Sequence, residues 1–238
     1  MARPKRENPT RLAIIQVASE LFFEKGFSNT TAANVCQNAD IGTGNLTFYF
    51  PTKEHILNVL VTMLCDYQWR LIEEYTGEGQ SSLLCYCLEL ATMASASEES
   101  EQMRDFFVSA YAHPMTLENI RANGVEKMKQ VFGSFCPDWT EDQFIQAKNL
   151  VSGIEYATLM TTAHSAPLDA RVEGALKAIL MLFNVPEELC KAKIQKVFAM
   201  DYRAIGHRVL VDFKQYVKES NEKAIADLLQ TYHIKQEG

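Results

Sequence analysis

The chain has 238 residues, 47% hydrophobic and 22% charged, which is enough apolar material for one small domain plus a larger one with a sizeable core. A formal net charge of −7 excludes a surface uniformly attractive to nucleic acid, but Arg3, Lys5, Arg6 and Arg11 are opposed only by Glu7 near the N-terminus, so a basic end on an acidic body is expected. The longest apolar runs, such as 178–183, fall short of the ~20 residues of a bilayer span, and the polar first residues do not read as a secretory signal; a soluble, cytoplasmic protein with no membrane partner is expected.

Hydrophobic positions recur with helical period along nearly the whole chain, and no window alternates as a strand would, so the fold class is all-α. Asn8 reads as an N-cap, Pro9 suits a first turn, and Ile14, Val17, Ala18, Leu21 and Phe22 form one stripe that Gly26 ends. Short helices follow over 31–38 and 43–50, separated by a turn at 39–42. Pro51 and Thr52 start a long fourth helix over 53–75, which Gly77 and Gly79 end. Further prolines at 114, 137, 167 and 186 cut the remainder into more helices, including 144–164, with Thr140 and Gln143 forming a capping box ahead of it. The next helix carries Val172, Ala175, Leu176, Ile179, Leu182 and Phe183, close to a heptad seam. After Pro186 an amphipathic tail remains, whose place over a pocket or at an interface the pattern leaves open.

The segment 30–54, TTAANVCQNADIGTGNLTFYFPTKE, places two helices too short to stand alone around a tight turn beside a longer first helix. That is a helix-turn-helix, with Val35, Ala39, Ile41, Leu46 and Phe50 inward and Thr43, Asn45, Thr47 and Tyr49 outward. Small polar residues on such a face let a helix enter the major groove and offer donors to bases and phosphates.

From Ala39 to Glu54 the run resembles the recognition-helix pattern of the TetR family, Ala-Gly-Val-Ser-x-Gly-x-Leu-Tyr-x-x-Phe-x-x-Lys-Glu, and Ala18, Leu21, Phe22, Gly26, Phe27 and Thr31 match upstream. Two residues depart from it. Asp40 replaces a glycine, and aspartate tolerates the left-handed conformation. Thr47 replaces a tyrosine that reaches a phosphate, a role part of which falls to Tyr49. The resemblance implies a three-helix DNA-binding domain over 1–52 and a larger helical ligand-binding and dimerisation domain over 53–238. It implies a regulator, by expectation a repressor, that binds a palindromic operator as a homodimer and is released by a small-molecule effector. By position, the implied DNA contacts are Thr31, Ala33, Thr43, Gly44, Asn45, Thr47, Tyr49 and Lys53. Thr31 reads equally as a helix cap, Tyr49 as packing and Lys53 as a surface lysine.

By the same resemblance, 144–164 and 168–184 form a four-helix bundle with a two-fold mate, Gly153 and Ala157 permitting close approach and Ala175 and Ile179 lying in the seam. Met63, Tyr67, Tyr86, Glu89, Met103, Phe107, Tyr111, Phe132, Tyr156 and Met160, with Met93 and Glu155, are the expected lining of an effector site. The effector implied is mostly hydrophobic, and the two glutamates allow a cationic one.

The five histidines lack zinc spacing, and no phosphate loop or nucleophile elbow occurs; no catalytic residue, metal or cofactor is expected. His113 and His164 read as core histidines or ligand contacts. The six cysteines, without Cys-x-x-Cys spacing, read as buried thiols. A helical enzyme or carrier without DNA binding is the competing class, and it would need a cluster of titratable groups.

Overall fold

The computed structural model describes residues 8–79 and 82–234, and every regular element among them is helical. The basic cluster at Arg3, Lys5 and Arg6 lies outside the described residues. Helix α1 spans Pro9–Lys25; the Asn8 side chain accepts from Thr10 N at 2.9 Å, and the helix ends at Gly26 with φ 90°. Helix α2, Ala32–Asn38, carries a reciprocal Thr31–Asn34 capping box, and α3, Thr43–Tyr49, follows a turn in which Asp40 has φ 50°. The aspartate thus holds the left-handed position expected of it. Helix α4, Lys53–Thr76, ends at a left-handed Gly77.

Helices α5 (Leu83–Glu99), α6 (Glu101–Ala112), α7 (Pro114–Phe132), α8 (Glu141–Leu159), α9 (Leu168–Leu182), α10 (Glu187–Ala199) and α11 (Tyr202–Ile234) complete the chain. Helix α5 is apolar on nearly every side, with Leu84, Cys87, Leu88, Ala91 and Ala94 all buried, and it therefore sits at the centre, touching α4 and each of α6 to α11.

Helix α8 stops at Leu159, not at His164 as its pattern suggested. Met160 is extended, and the Ser165 hydroxyl accepts from Thr162 N at 2.8 Å, so short polar side chains hold a local turn where β-branched Thr161 and Thr162 favour the helix little. His164 is exposed on this turn and is no core residue, whereas His113 caps α7 through Nδ1, which accepts from Met115 N at 3.3 Å.

The tail left open by its pattern does not cover the cavity described below. Helix α10 packs on α5 and α9, and α11 runs along α5, α1 and α4. Phe213 is fully buried, its ring 5.8 Å from Phe23 of α1 and 5.7 Å from Tyr67 of α4, while Tyr67 stacks on Tyr216 at 4.8 Å. Gly206 is the point of closest approach, because a Cβ there would stand 2.8 Å from the Thr92 carbonyl oxygen of α5. Backbone cannot swing aside as a side chain can. Gly206→Val should therefore destabilise the protein by about 1–3 kcal/mol, read from urea unfolding, and an unchanged midpoint would show that α11 does not depend on this close contact.

Candidate nucleic-acid interface and ligand cavity

Val35, Leu46 and Phe50 are buried where α2 and α3 meet α1, and Ile41 packs on them. This leaves Thr43, Gly44, Asn45 and Thr47 exposed on α3, with Thr31 and Ala33 exposed at the start of α2. Nothing crowds Gly44 within 4 Å, so a backbone or base edge can approach it closely. Thr31 Oγ1 accepts from Asn34 N at 3.1 Å as the α2 cap, and Thr47 Oγ1 donates to Thr43 O at 3.1 Å.

Two residues of this face differ from their sequence assignment. Tyr49 is half-buried, edge-on to Phe48 at 5.0 Å, whereas Phe48 is 68% exposed. At ~100° per residue, Phe48 lies roughly 200° round the helix from Leu46, the buried anchor, while Tyr49 lies only ~60° from it. Phe48 was missed, and this helical arithmetic is the signal that would have found it. Lys53 donates to the carbonyls of Phe27 (2.8 Å) and Thr30 (3.0 Å), with its ammonium 4.2 Å from the centre of the Phe27 ring. Its amine pins the α1–α2 connection from the first turn of α4.

A cavity of about 150 Å³ lies in the body, bounded by α4, α5, α6, α7 and α8. Tyr86, Glu89, Phe107 and Tyr111 line it as expected, with Met93 and Glu155. The other candidates do not. Tyr67 is held by Phe213 and Tyr216, Phe132 stacks face to face on Phe183 at 4.1 Å, and Met103 is buried in α6. Met63 and Tyr156 are half-buried against the core outside the cavity, and Met160 is exposed because α8 has already ended.

Two lysines absent from the sequence candidates reach the cavity. Lys127 of α7 pairs with Glu89 of α5, and Lys148 of α8 donates to Glu155 at 2.8 Å. Tyr111 donates to the same carboxylate at 3.0 Å and Tyr86 at 3.5 Å. The side chains of Lys148 and Glu155 are only 5% and 10% exposed. Gly124 leaves room for this reach, since a Cβ there would overlap Cε of Lys148. Burial pushes the Lys127 amine below its usual range against the pull of Glu89, and burial beside Glu155 holds the Tyr86 and Tyr111 hydroxyls well above the phenol range. Burial also raises the thiols of Cys65 to about 11 and Cys87 to about 12, so both stay protonated and unreactive near neutrality. The Lys148–Glu155 pair was open to a reading of α8, because positions seven apart share its buried face. The Glu89–Lys127 pair, between two helices, was not.

Helix α6 joins this cavity to the helix-turn-helix. Phe106 and Phe107 line the cavity, and the preceding Asp105 accepts from Ser28 N at 2.7 Å and from the Ser28 hydroxyl, between α1 and α2. Gly26 leaves the room, since a Cβ there would stand 2.8 Å from Asp105 Oδ2.

On the outside of the body, Leu150 is 54% and Met181 72% exposed, and Gly153, Ala157, Gly174 and Ala178 are exposed beside them on α8 and α9. The heptad-like seam faces the other way: Val172, Ala175, Leu176, Ile179 and Phe183 are buried in the protomer's own core. Ala175 and Ile179 therefore cannot be the contact residues that the pattern suggested.

Residues 14–60 match the family model for bacterial regulatory proteins of the tetR family. No curated protein sequence matches the chain. Among solved structures, FadR of Thermus thermophilus, a TetR-family transcriptional repressor in complex with lauroyl-CoA, is 18% identical; the match covers 71% of this chain and 93% of that one, with a TM-score of 0.52. GusR of Salmonella enterica is 21% identical over 77% of this chain and 98% of that one, with a TM-score of 0.46. At these identities the likeness to FadR speaks for the fold.

Removing the Lys53 amine leaves the Thr30 carbonyl without its side-chain donor, while Phe27 O still accepts from Thr30 N at 3.2 Å, so Lys53→Ala should cost about 1–3 kcal/mol of stability. Urea unfolding checks this. An unchanged midpoint together with a salt slope of DNA binding reduced by about one would instead assign the amine to a phosphate.

Proposed function

From the match of residues 14–60 to the tetR-family model, we propose that the chain is a non-enzymatic, ligand-responsive repressor of that family, with a DNA-binding part over 1–52 and a sensing and dimerising part over 53–238. Thr43, Gly44, Asn45, Thr47 and Phe48 face the major groove, with Thr31 and Ala33 at its edge. Asn45 offers a bidentate donor and acceptor to a base, and Phe48 offers an apolar surface to a thymine methyl. Tyr49 supports Phe48 from behind, and Lys53 holds the turn that aims the helix.

The observation that carries the ligand response is the position of α6, with Phe106 and Phe107 on the cavity and Asp105 on the loop between α1 and α2. An effector that displaces these rings moves the carboxylate that fixes α1 relative to the body, and α4, which leaves the helix-turn-helix and lines the cavity through Val61, Leu64 and Gln68, moves with them. Lowering operator affinity a hundredfold requires ~2.7 kcal/mol of differential binding, within ordinary coupling energies. FadR, bound to lauroyl-CoA, is a repressor of the same fold that takes a ligand.

A palindromic operator needs two recognition helices about one helical turn, ~34 Å, apart, and hence a two-fold dimer. The exposed face of Leu150, Gly153, Ala157, Ala178 and Met181 is the surface that would form it. Leu150→Glu with Ala178→Glu should give monomers in sedimentation and weaken operator binding at least tenfold; a double variant that remains dimeric would place the interface elsewhere.

The DNA reading is tested on an operator selected from a random duplex library. Asn45→Ala and Phe48→Ala should each cost about 1–3 kcal/mol of discrimination at single base pairs, and equal affinity of wild type for selected and unselected duplexes would exclude a sequence-specific regulator. Asp105→Ala should keep operator binding but lose most of its release by ligand, measured by fluorescence anisotropy.

A further inference from the structure

The proposed effector site carries an unusual constraint. Its polar side is built from charges that already cancel: Lys127 with Glu89, and Lys148 with Glu155, bridged by Tyr86, whose ring lies 6.0 Å from the Lys127 ammonium and whose hydroxyl donates to Glu155. Asp66, the remaining lining carboxylate, is exposed and is screened by solvent. A proton moved within either pair leaves the sum at zero. A ligand bearing net charge would therefore meet buried side chains holding no opposite charge to spare, or would have to break a buried pair and strand one member, and both are costly.

A ligand without polar atoms fits no better. Among the described residues Lys148 Nζ has Glu155 as its hydrogen-bond acceptor, whereas an ammonium carries three donors, so a purely apolar occupant would leave buried donors facing hydrocarbon. The remaining wall, from Leu64, Leu90, Met93, Phe106, Phe107 and Met128, is apolar. The cavity of about 150 Å³ matches an engineered cavity that takes benzene.

Resting on the reading of this cavity as the effector site, we infer that its ligand class is an uncharged, largely apolar molecule carrying a carbonyl-type oxygen that accepts from Lys148, and that the zero sum of the four buried charges excludes the corresponding acids and amines. Gly124 belongs to this device, because a side chain there would meet Cδ and Cε of Lys148 and force the end of the lysine to shift.

The test uses the full chain and four probes of similar size: acetophenone, benzoate, benzylammonium, and α-methylstyrene, which replaces the ketone oxygen by CH₂. Binding is measured by calorimetry or ligand-observed NMR near pH 7. Wild type should prefer acetophenone at least tenfold over each of the others. Glu155→Gln makes the network net positive and should bring benzoate level with or above acetophenone; Lys148→Met makes it net negative and should do the same for benzylammonium. The two variants carry opposite changes, so one that fails to fold, judged by circular dichroism, leaves the other to decide.

If benzoate or benzylammonium binds wild type as tightly as acetophenone, or if the preference for the neutral probe persists in the folded variants, charge balance does not select the ligand, while the cavity stands as an effector site. If α-methylstyrene equals acetophenone, the oxygen acceptor is wrong. If no probe binds any of the proteins, the cavity is no small-molecule site, and the ligand response under the proposed function falls with this inference.

Discussion

Helix α5 has almost no solvent-facing side, and much of the molecule follows from burying it. An apolar helix of this kind must be enclosed, and here α4 and α6 to α11 enclose it. Glu89 sits in the middle of that helix, and a carboxylate in such a place has to be met by a cation. Lys127 meets it from α7. The contact ties α7 to α5 across the space that becomes the cavity, and Lys148 and Glu155 close the same space from α8. The pocket is thus a region where charges, rather than close-packed hydrocarbon, hold five helices at a distance.

That arrangement places the proposed effector site and the proposed DNA-binding face on the same pieces of backbone. Helix α4 begins by pinning the α1–α2 loop through Lys53 and continues into the cavity wall. Helix α6 presents phenylalanines to the cavity and a carboxylate to Ser28. Helix α11 adds a third connection, with Phe213 set between Phe23 of α1 and Tyr67 of α4. The helix-turn-helix is therefore clamped to the body at three points, and two of the clamps are parts of helices that line the cavity. A packed core transmits such displacement because it resists deformation.

How much of this was legible beforehand depended on range along the chain. Caps and stops are local chemistry: Asn8, Pro9, Gly26, Thr31, Asp40 and Gly77 act on backbone groups a few residues away, and each sits where its type predicts. The end of α8 was misjudged because an apolar pattern outlasted the helix, and Ser165 and Thr162 decided otherwise through a local hydrogen bond. On α3 the inward residues were plain, but Phe48 and Tyr49 were exchanged, since both are aromatic and only their angle from Leu46 separates them.

The sequence by itself determined an all-α chain with an N-terminal helix-turn-helix, because capping, turn conformation and helical period are set by neighbours within about one or two turns. Tertiary structure decided the rest. Whether Lys53 faces solvent or two carbonyls, whether Tyr67 and Phe132 line a cavity or stack on Tyr216 and Phe183, and whether Ala175 and Ile179 point inward or outward all depend on partners distant in sequence. The buried pair of Glu89 with Lys127 is the clearest instance. Each residue alone reads as an ordinary helical charge, and only the packing of α7 on α5 removes the water that would otherwise have solvated both.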